Sequence, residues 1–184
     1  MKALLRIAHL IDALNERIGR SVSWLILFTV LISAGNAIMR KAFDLSSNAF
    51  LEIQWYLFAA AFLLAAGYTL KCNEHVRIDV ITGRFGKQAQ AWIDIVGGLL
   101  FLLPMTGIIL YFSWPFFINS FLSQEWSSNP GGLILWPAKM LVPAGFFLLL
   151  LQGLSEIIKR IGFLLDMEPA EAMHQSPLSE ESGA

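Results

Sequence analysis

The stretch HVRIDV, residues 75–80, alternates His75, Arg77 and Asp79 with Val76, Ile78 and Val80. An imidazole, a guanidinium and a carboxylate this close raise two chemical possibilities, a metal site and an acid–base site. A metal needs more than one His and one Asp, and Arg77 between them repels a cation. The same alternation suits a short extended stretch, or the start of a helix, with charged heads in water and apolar side chains in a membrane interface. Elsewhere the reactive types are scattered. Cys72 is the single cysteine, which rules out an internal disulfide or a CxxC pair. His9, His75 and His174 all lie outside the most apolar stretches, which disfavours a haem-binding bundle. Ser33 and Ser113 have no histidine at their depth to act as base. Glu52, at the start of an apolar stretch, is the clearest ionisable candidate. Two readings of it stay open: a pair with Arg40 that staples neighbouring helices, or an N-terminal helix charge facing headgroups.

The elements that must position these residues follow from composition. With 56% hydrophobic and 15% charged residues over 184 positions, the chain carries more apolar surface than one soluble core needs. A net charge of −1 gives no bulk attraction for nucleic acid. Four charge-free windows, residues 21–39, 53–70, 95–124 and 140–155, approach the roughly 20 residues that cross a bilayer. They predict an all-α integral membrane protein with spans at about 21–39, 51–70, 92–117 and 139–158, the third kinked at Pro104. Residues 20–160 then form a four-helix membrane domain. Lys and Arg in alternate connecting pieces number ten against three, placing both termini and HVRIDV in the cytoplasm and residues 40–50 and 118–139 on the opposite side. In a bacterial inner membrane that opposite side is the periplasm.

Residues 1–19 space Leu4, Ile7, Ile11, Leu14 and Ile18 three or four apart, an amphipathic helix suited to the interface or to a partner's surface. Residues 161–184 are expected to be a disordered cytoplasmic tail, because their acidic, Pro and Ser content cannot bury a core. Asn36 and Gln54 are candidates for interhelical hydrogen bonds, and Ser33/Ala37, Ala61/Ala65, Gly97, Gly98 and Gly107 for close packing. Gln152 and Glu156 share one face of the last helix. Trp and Tyr cluster near the span ends, as in an anchoring belt. Between the third and fourth spans, Trp126, the turn Asn129-Pro130-Gly131-Gly132 and Trp136 form a loop that can dip into the interface or receive a soluble partner. A ring of acids, a substrate-sized polar cavity or an inverted repeat would mark a self-sufficient transporter, and none is legible.

Together these features resemble the small membrane subunit, DctQ type, of tripartite ATP-independent periplasmic (TRAP) transporters. The resemblance runs from about residue 15 to 160 and rests on Arg40, on SSNAFLEIQWYLF (46–58), on AAGYTL (65–70), on HVRIDV, and on NPGGL followed by WPAK within 129–139. One departure is Ala49-Phe50-Leu51 before Glu52, where many relatives carry Trp and a second acid, which puts a paired-acid role in doubt. The resemblance implies a chain without catalytic turnover or cofactor. It implies a large multi-span partner that carries an organic acid with sodium ions, and a periplasmic binding protein that delivers it. In that setting Arg40 and Glu52 organise the periplasmic ends of the first two helices. His75, Arg77 and Asp79 fix the cytoplasmic turn or its contact with the large subunit, and Trp126, Asn129, Pro130, Gly131, Gly132 and Trp136 are candidate contacts for the periplasmic partner. The alternative is a stand-alone homo-oligomeric four-helix transporter or channel. An intramembrane redox enzyme is a weaker third reading.

Overall fold

The computed structural model describes residues 2–44, 47–72 and 86–165. Its architecture is all-helical: α1 (Lys2–Phe43), α2 (Asn48–Lys71), α3 (Lys87–Leu122) and α4 (Trp136–Leu164). Each is long and apolar enough to cross a membrane. Residues 161–164, expected in the disordered tail, are instead the last turn of α4; the tail from 166 onward, HVRIDV and the loop tip at 45–46 lie outside the described residues.

The expected separate helix over residues 1–19 is instead the first half of α1, which runs unbroken for 42 residues. At about 1.5 Å per residue that is roughly 63 Å, twice the thickness of the hydrocarbon layer. Gly19 stands at the junction but does not end the helix: it packs against Tyr68 of α2, where a Cβ would overlap the ring, and no Pro follows in α1. The buried face of this first half, Leu5, Ala8, Asp12, Asn15 and Gly19, packs within the chain's own bundle.

α3 also differs from expectation. Leu103 N–H donates to the Gly98 carbonyl, five residues back, in a π-turn over Gly98–Leu102 immediately before Pro104. Pro104 has no N–H for the carbonyl four residues earlier, and its ring crowds that oxygen; the wider turn relieves both, and the helix continues. It ends at Leu122, not near 117, with Gln124 in the left-handed region (φ 48°) turning the chain.

The four helices do not form a closed bundle. α4 is central, packing on α1, α2 and α3, whereas α3 rests on α4 and makes little contact with α1 or α2 among the described residues. The most apolar stretch of α4 is accordingly 33% buried and that of α1 only 6%. Residue choice explains the asymmetry. α3 turns Thr106, Ser113 and Ser120, spaced seven apart, toward the interior. Thr106 and Ser113 return their hydroxyls to their own helix, at 2.7 Å to Leu102 O and 3.1 Å to Leu110 O. Small side chains on such a seam let backbones approach closely.

Glycines set the α1–α2–α4 distances, and they are not those singled out from sequence. A Cβ on Gly97 or Gly107 would meet nothing within 4 Å, whereas on Gly98 it would lie 3.2 Å from the Ile157 side chain of α4, a close α3–α4 approach as expected. On Gly145 it would lie 2.7 Å from both the Cβ and the carbonyl oxygen of Leu63 in α2. Backbone cannot yield as a side-chain tip can. Gly145→Ala is therefore expected to destabilise the α2–α4 contact by about 1–3 kcal/mol, the usual cost of overpacking. Thermal unfolding in detergent measures this; an unchanged midpoint would mean the two helices separate freely.

Candidate functional site: two polar clamps at opposite ends of the helices

The first clamp surrounds Glu52, which is 3% exposed near the start of α2. Its carboxylate accepts three hydrogen bonds from the α3–α4 loop. Ser127 Oγ and Asn129 Nδ2 (2.9 Å) donate to Oε1, and Leu133 N–H donates to Oε2 at 2.6 Å. The loop is built to present these donors. Trp126 and Ile134 pair as a minimal antiparallel bridge, with Ser127 N–H to Leu133 O at 2.9 Å and Leu135 N–H to Glu125 O at 2.8 Å. The tip closes by Gly132 N–H to Asn129 O at 3.0 Å, with Gly131 at φ +70°. Pro then Gly at the two central positions is the type II turn pattern, in which a side chain at Gly131 would be strained. Asn48 Nδ2 to Pro130 O (2.9 Å) and Tyr56 OH to Ile134 O (3.0 Å) tie the same loop to α2.

At the loop's base Lys139 pairs with Glu125 and lies 4.4 Å from the Phe116 ring centroid. The lysine's hydrogen bond holds the Glu125 carboxyl below the usual range.

Arg40 takes no part. It is exposed and makes no ion pair among the described residues, so the expected Arg40–Glu52 staple is replaced by a staple between α2 and the loop. The physical reason is proximity of better donors: three directed N–H and O–H groups satisfy both carboxylate oxygens without a second buried charge. Of the six loop residues named as partner contacts, Trp126 (67% exposed), Pro130 and Gly131 face outward. Asn129 is exposed as well, though its amide donates to Glu52, and Trp136 packs edge-on to Phe121 at 5.3 Å. Gly132 is held where a Cβ would come 2.5 Å from Ser127 Cβ and 2.7 Å from Glu52 Oε1. Gly132→Ala is expected to part Ser127 from Glu52 and loosen the loop, read as faster hydrogen exchange at the Leu133 amide; equal rates with and without the Ala would count against the clamp.

The second clamp, at the other end, was not assembled from sequence. Asp12 on α1 accepts from Gln152 Nε2 (2.7 Å), Ser155 Oγ (2.8 Å) and Lys159 Nζ (2.9 Å) on α4. Lys159 also reaches Glu156 at 2.5 Å, and Asn15 Nδ2 donates to Gln152 Oε1 at 2.9 Å. Around this core, Glu16 joins Lys71 of α2 at 2.6 Å and also pairs with Arg20, while Arg160 lies 3.3 Å from Asp94 of α3. All four helices thus meet through charge at one end. A signal existed: Asp12, Asn15 and Glu16 share an α1 face, and Gln152, Ser155, Glu156 and Lys159 are spaced for one face of α4. That the two faces meet is a tertiary fact. Asn36 and Gln54 do not make the hydrogen bonds expected of them; Gln54 Nε2 is buried without an acceptor among the described residues. His75, Arg77 and Asp79 lie outside the described residues.

A family model described as tripartite ATP-independent periplasmic transporters, DctQ component, matches residues 29–162. No curated protein and no solved structure matches. The match covers Glu52, its loop and the α4 half of the second clamp, but begins after Asp12 and Asn15.

Proposed function

This chain belongs to the DctQ family, the small membrane component of tripartite ATP-independent periplasmic transporters, and from that membership we propose that it braces the large transport component in the membrane. The observation that carries the proposal is how its buried charges are used. Glu52, Asp12, Lys159 and Arg160 each tie one helix to another helix or to the loop. Such bonds stiffen a frame against which a moving transport domain can work. In this reading the large component carries an organic acid inward with sodium ions, and a periplasmic binding protein delivers it. The ten-to-three partition of Lys and Arg supports an inner-membrane topology with the Asp12 clamp in the cytoplasmic half and the Glu52 clamp at the periplasmic end. The exposed face of the loop, with Trp126, is then available to the binding protein.

Reconstitution tests this. The chain alone, the large component alone and both together are placed in liposomes with the binding protein outside and a sodium gradient imposed. Uptake is expected only with both membrane components. Uptake by this chain alone would sink the brace in favour of a stand-alone transporter.

In the same proposal Arg40 contributes a headgroup-facing charge, while His75, Arg77 and Asp79 secure the α2–α3 turn or its contact with the large component. Asp79→Ala is expected to lower recovery of the paired complex several-fold without changing ligand affinity of the binding protein. Normal recovery and normal uptake would reduce Asp79 to an interfacial charge.

A further inference from the structure

We propose that the free side of the first half of α1 is a docking surface for anionic phospholipid headgroups of the cytoplasmic leaflet, an inference that does not depend on the brace reading. This half of the helix has three faces. One, with Leu5, Ala8, Asp12, Asn15 and Gly19, is buried in the bundle. A second is apolar and open: Leu4 is 46% exposed, Ile7 50%, Leu10 71% and Leu14 45%. The third carries Lys2, Arg6, Arg17 and Arg20, all exposed. At 3.6 residues per turn, Lys2, Arg6, Leu10, Ala13, Arg17 and Arg20 follow one row along the helix, each three or four positions from the next. The row therefore borders the apolar face. The acids of this segment are withdrawn from it: Asp12 is buried against Lys159, and Glu16 sits half-buried between Lys71 and Arg20. Lys2, Arg6 and Arg17 make no ion pair among the described residues.

Charge and position decide the occupant. An open apolar face edged by cations, with no free acid between them, complements an anionic bilayer surface: leucines enter the acyl boundary and guanidiniums reach phosphate oxygens. The four cations extend over roughly 27 Å of helix, the pattern by which a basic amphipathic segment beside a span holds acidic lipid. An acidic protein surface would satisfy the cations but offers nothing to Leu10, which stands in the same row. Position follows from continuity. α1 runs unbroken into its span, so its first half starts at the bilayer. Upright, its 42 residues would lift Leu4 and Ile7 far into water. Inclined by about 40°, the upper end of the usual range, the helix reaches roughly 48 Å, close to the roughly 40–45 Å of a bilayer with its headgroups. The underside of the first half then meets the headgroup layer. The partition of Lys and Arg makes that layer the cytoplasmic one.

The test places a photo-crosslinking amino acid at Ala13, which is exposed midway along the row. The full chain is reconstituted in vesicles of equal parts phosphatidylcholine and phosphatidylglycerol, irradiated, and its adducts are identified by mass. Each cation held at an anionic surface favours it about five-fold. Phosphatidylglycerol adducts are therefore expected to exceed phosphatidylcholine adducts at least ten-fold. With Lys2→Gln, Arg6→Gln and Arg17→Gln together, the ratio is expected to fall to near one; with Arg6→Lys and Arg17→Lys the preference is expected to stay. Because these side chains are exposed, the thermal transition of both variants should match that of the unsubstituted chain, which separates lost charge from lost fold. Equal adducts to the two lipids in the unsubstituted chain, or a preference that survives the glutamine changes, would overturn the headgroup assignment. So would adducts to protein alone when the large membrane component is reconstituted alongside, which would make this face a protein contact. Sodium-driven uptake by the paired components tests the brace separately, so either reading can fail alone.

Discussion

Lys159→Met is expected to destabilise the helices by about 3–5 kcal/mol, the cost of leaving a buried carboxylate without its cation. The ammonium lies 2.9 Å from Asp12 and 2.5 Å from Glu156, and the Lys159 and Asp12 side chains are only 10% and 11% exposed. A methionine stem fills the same space but leaves Asp12 with neutral donors alone. The double change Asp12→Leu with Lys159→Met is expected to recover most of the loss, because both charges leave together. Gln152 then keeps Glu156 at 3.2 Å, Ser155 keeps the Ala8 carbonyl at 3.1 Å, and Glu156 keeps Arg160 at 4.0 Å. Thermal unfolding of the four single and double forms in detergent gives the coupling directly. If the double form is as unstable as the sum of the singles, Asp12 and Lys159 act independently and the clamp does not exist as described.

Glu52→Gln is expected to release the α3–α4 loop although it changes one atom. Oε1 of Glu52 takes two donors and Oε2 a third. A glutamine offers one oxygen and an NH2, so a donor must face either the Leu133 N–H or the Asn129 amide. Hydrogen bonds to a charged acceptor are the stronger ones, and an inward-facing donor left without an acceptor adds to the loss. Hydrogen exchange at the Leu133 amide is the most direct readout, with protection expected to fall at least roughly ten-fold. Pairing with the large component should weaken in parallel. Arg40→Ala is expected to change neither quantity, and a double-mutant cycle between the two positions should be additive. Unaltered exchange at Leu133 in Glu52→Ala, which offers that amide no acceptor, would falsify the staple between α2 and the loop.

These two sites differ in how far the sequence exposes them. Glu52 is conspicuous because a carboxylate at the edge of an apolar stretch is expensive and needs a partner. Its partners are not conspicuous. Ser127, Asn129 and the Leu133 backbone N–H lie 75 to 81 residues away, and a backbone donor has no sequence signature. Arg40 is nearer in the chain and opposite in charge, which made it the natural candidate; the structure leaves it exposed. For the second clamp, both halves are visible as polar positions at helical spacing. Asp12 reads as part of a water-facing surface until α4 is laid beside it with Lys159 at matching height.

Composition and periodicity by themselves determined that the chain has four helices long and apolar enough to span a membrane, that Glu52 is the ionisable group to account for, and that NPGG makes a turn. Those are consequences of local chemistry: apolar length, the cost of charge near lipid, and the backbone freedom of Gly after Pro. The family, too, was legible in short motifs and is the one matched over residues 29–162. Only the tertiary structure decided that α1 is one 42-residue helix, that α4 is central with α3 at its flank, and which donors close on Glu52 and Asp12. Apolar helices of similar length can pack in many orders with nearly equal burial, because lipid solvates their surfaces as well as protein does. The choice among those orders falls to a few glycines and buried polar pairs, and their fit is a property of two surfaces brought together.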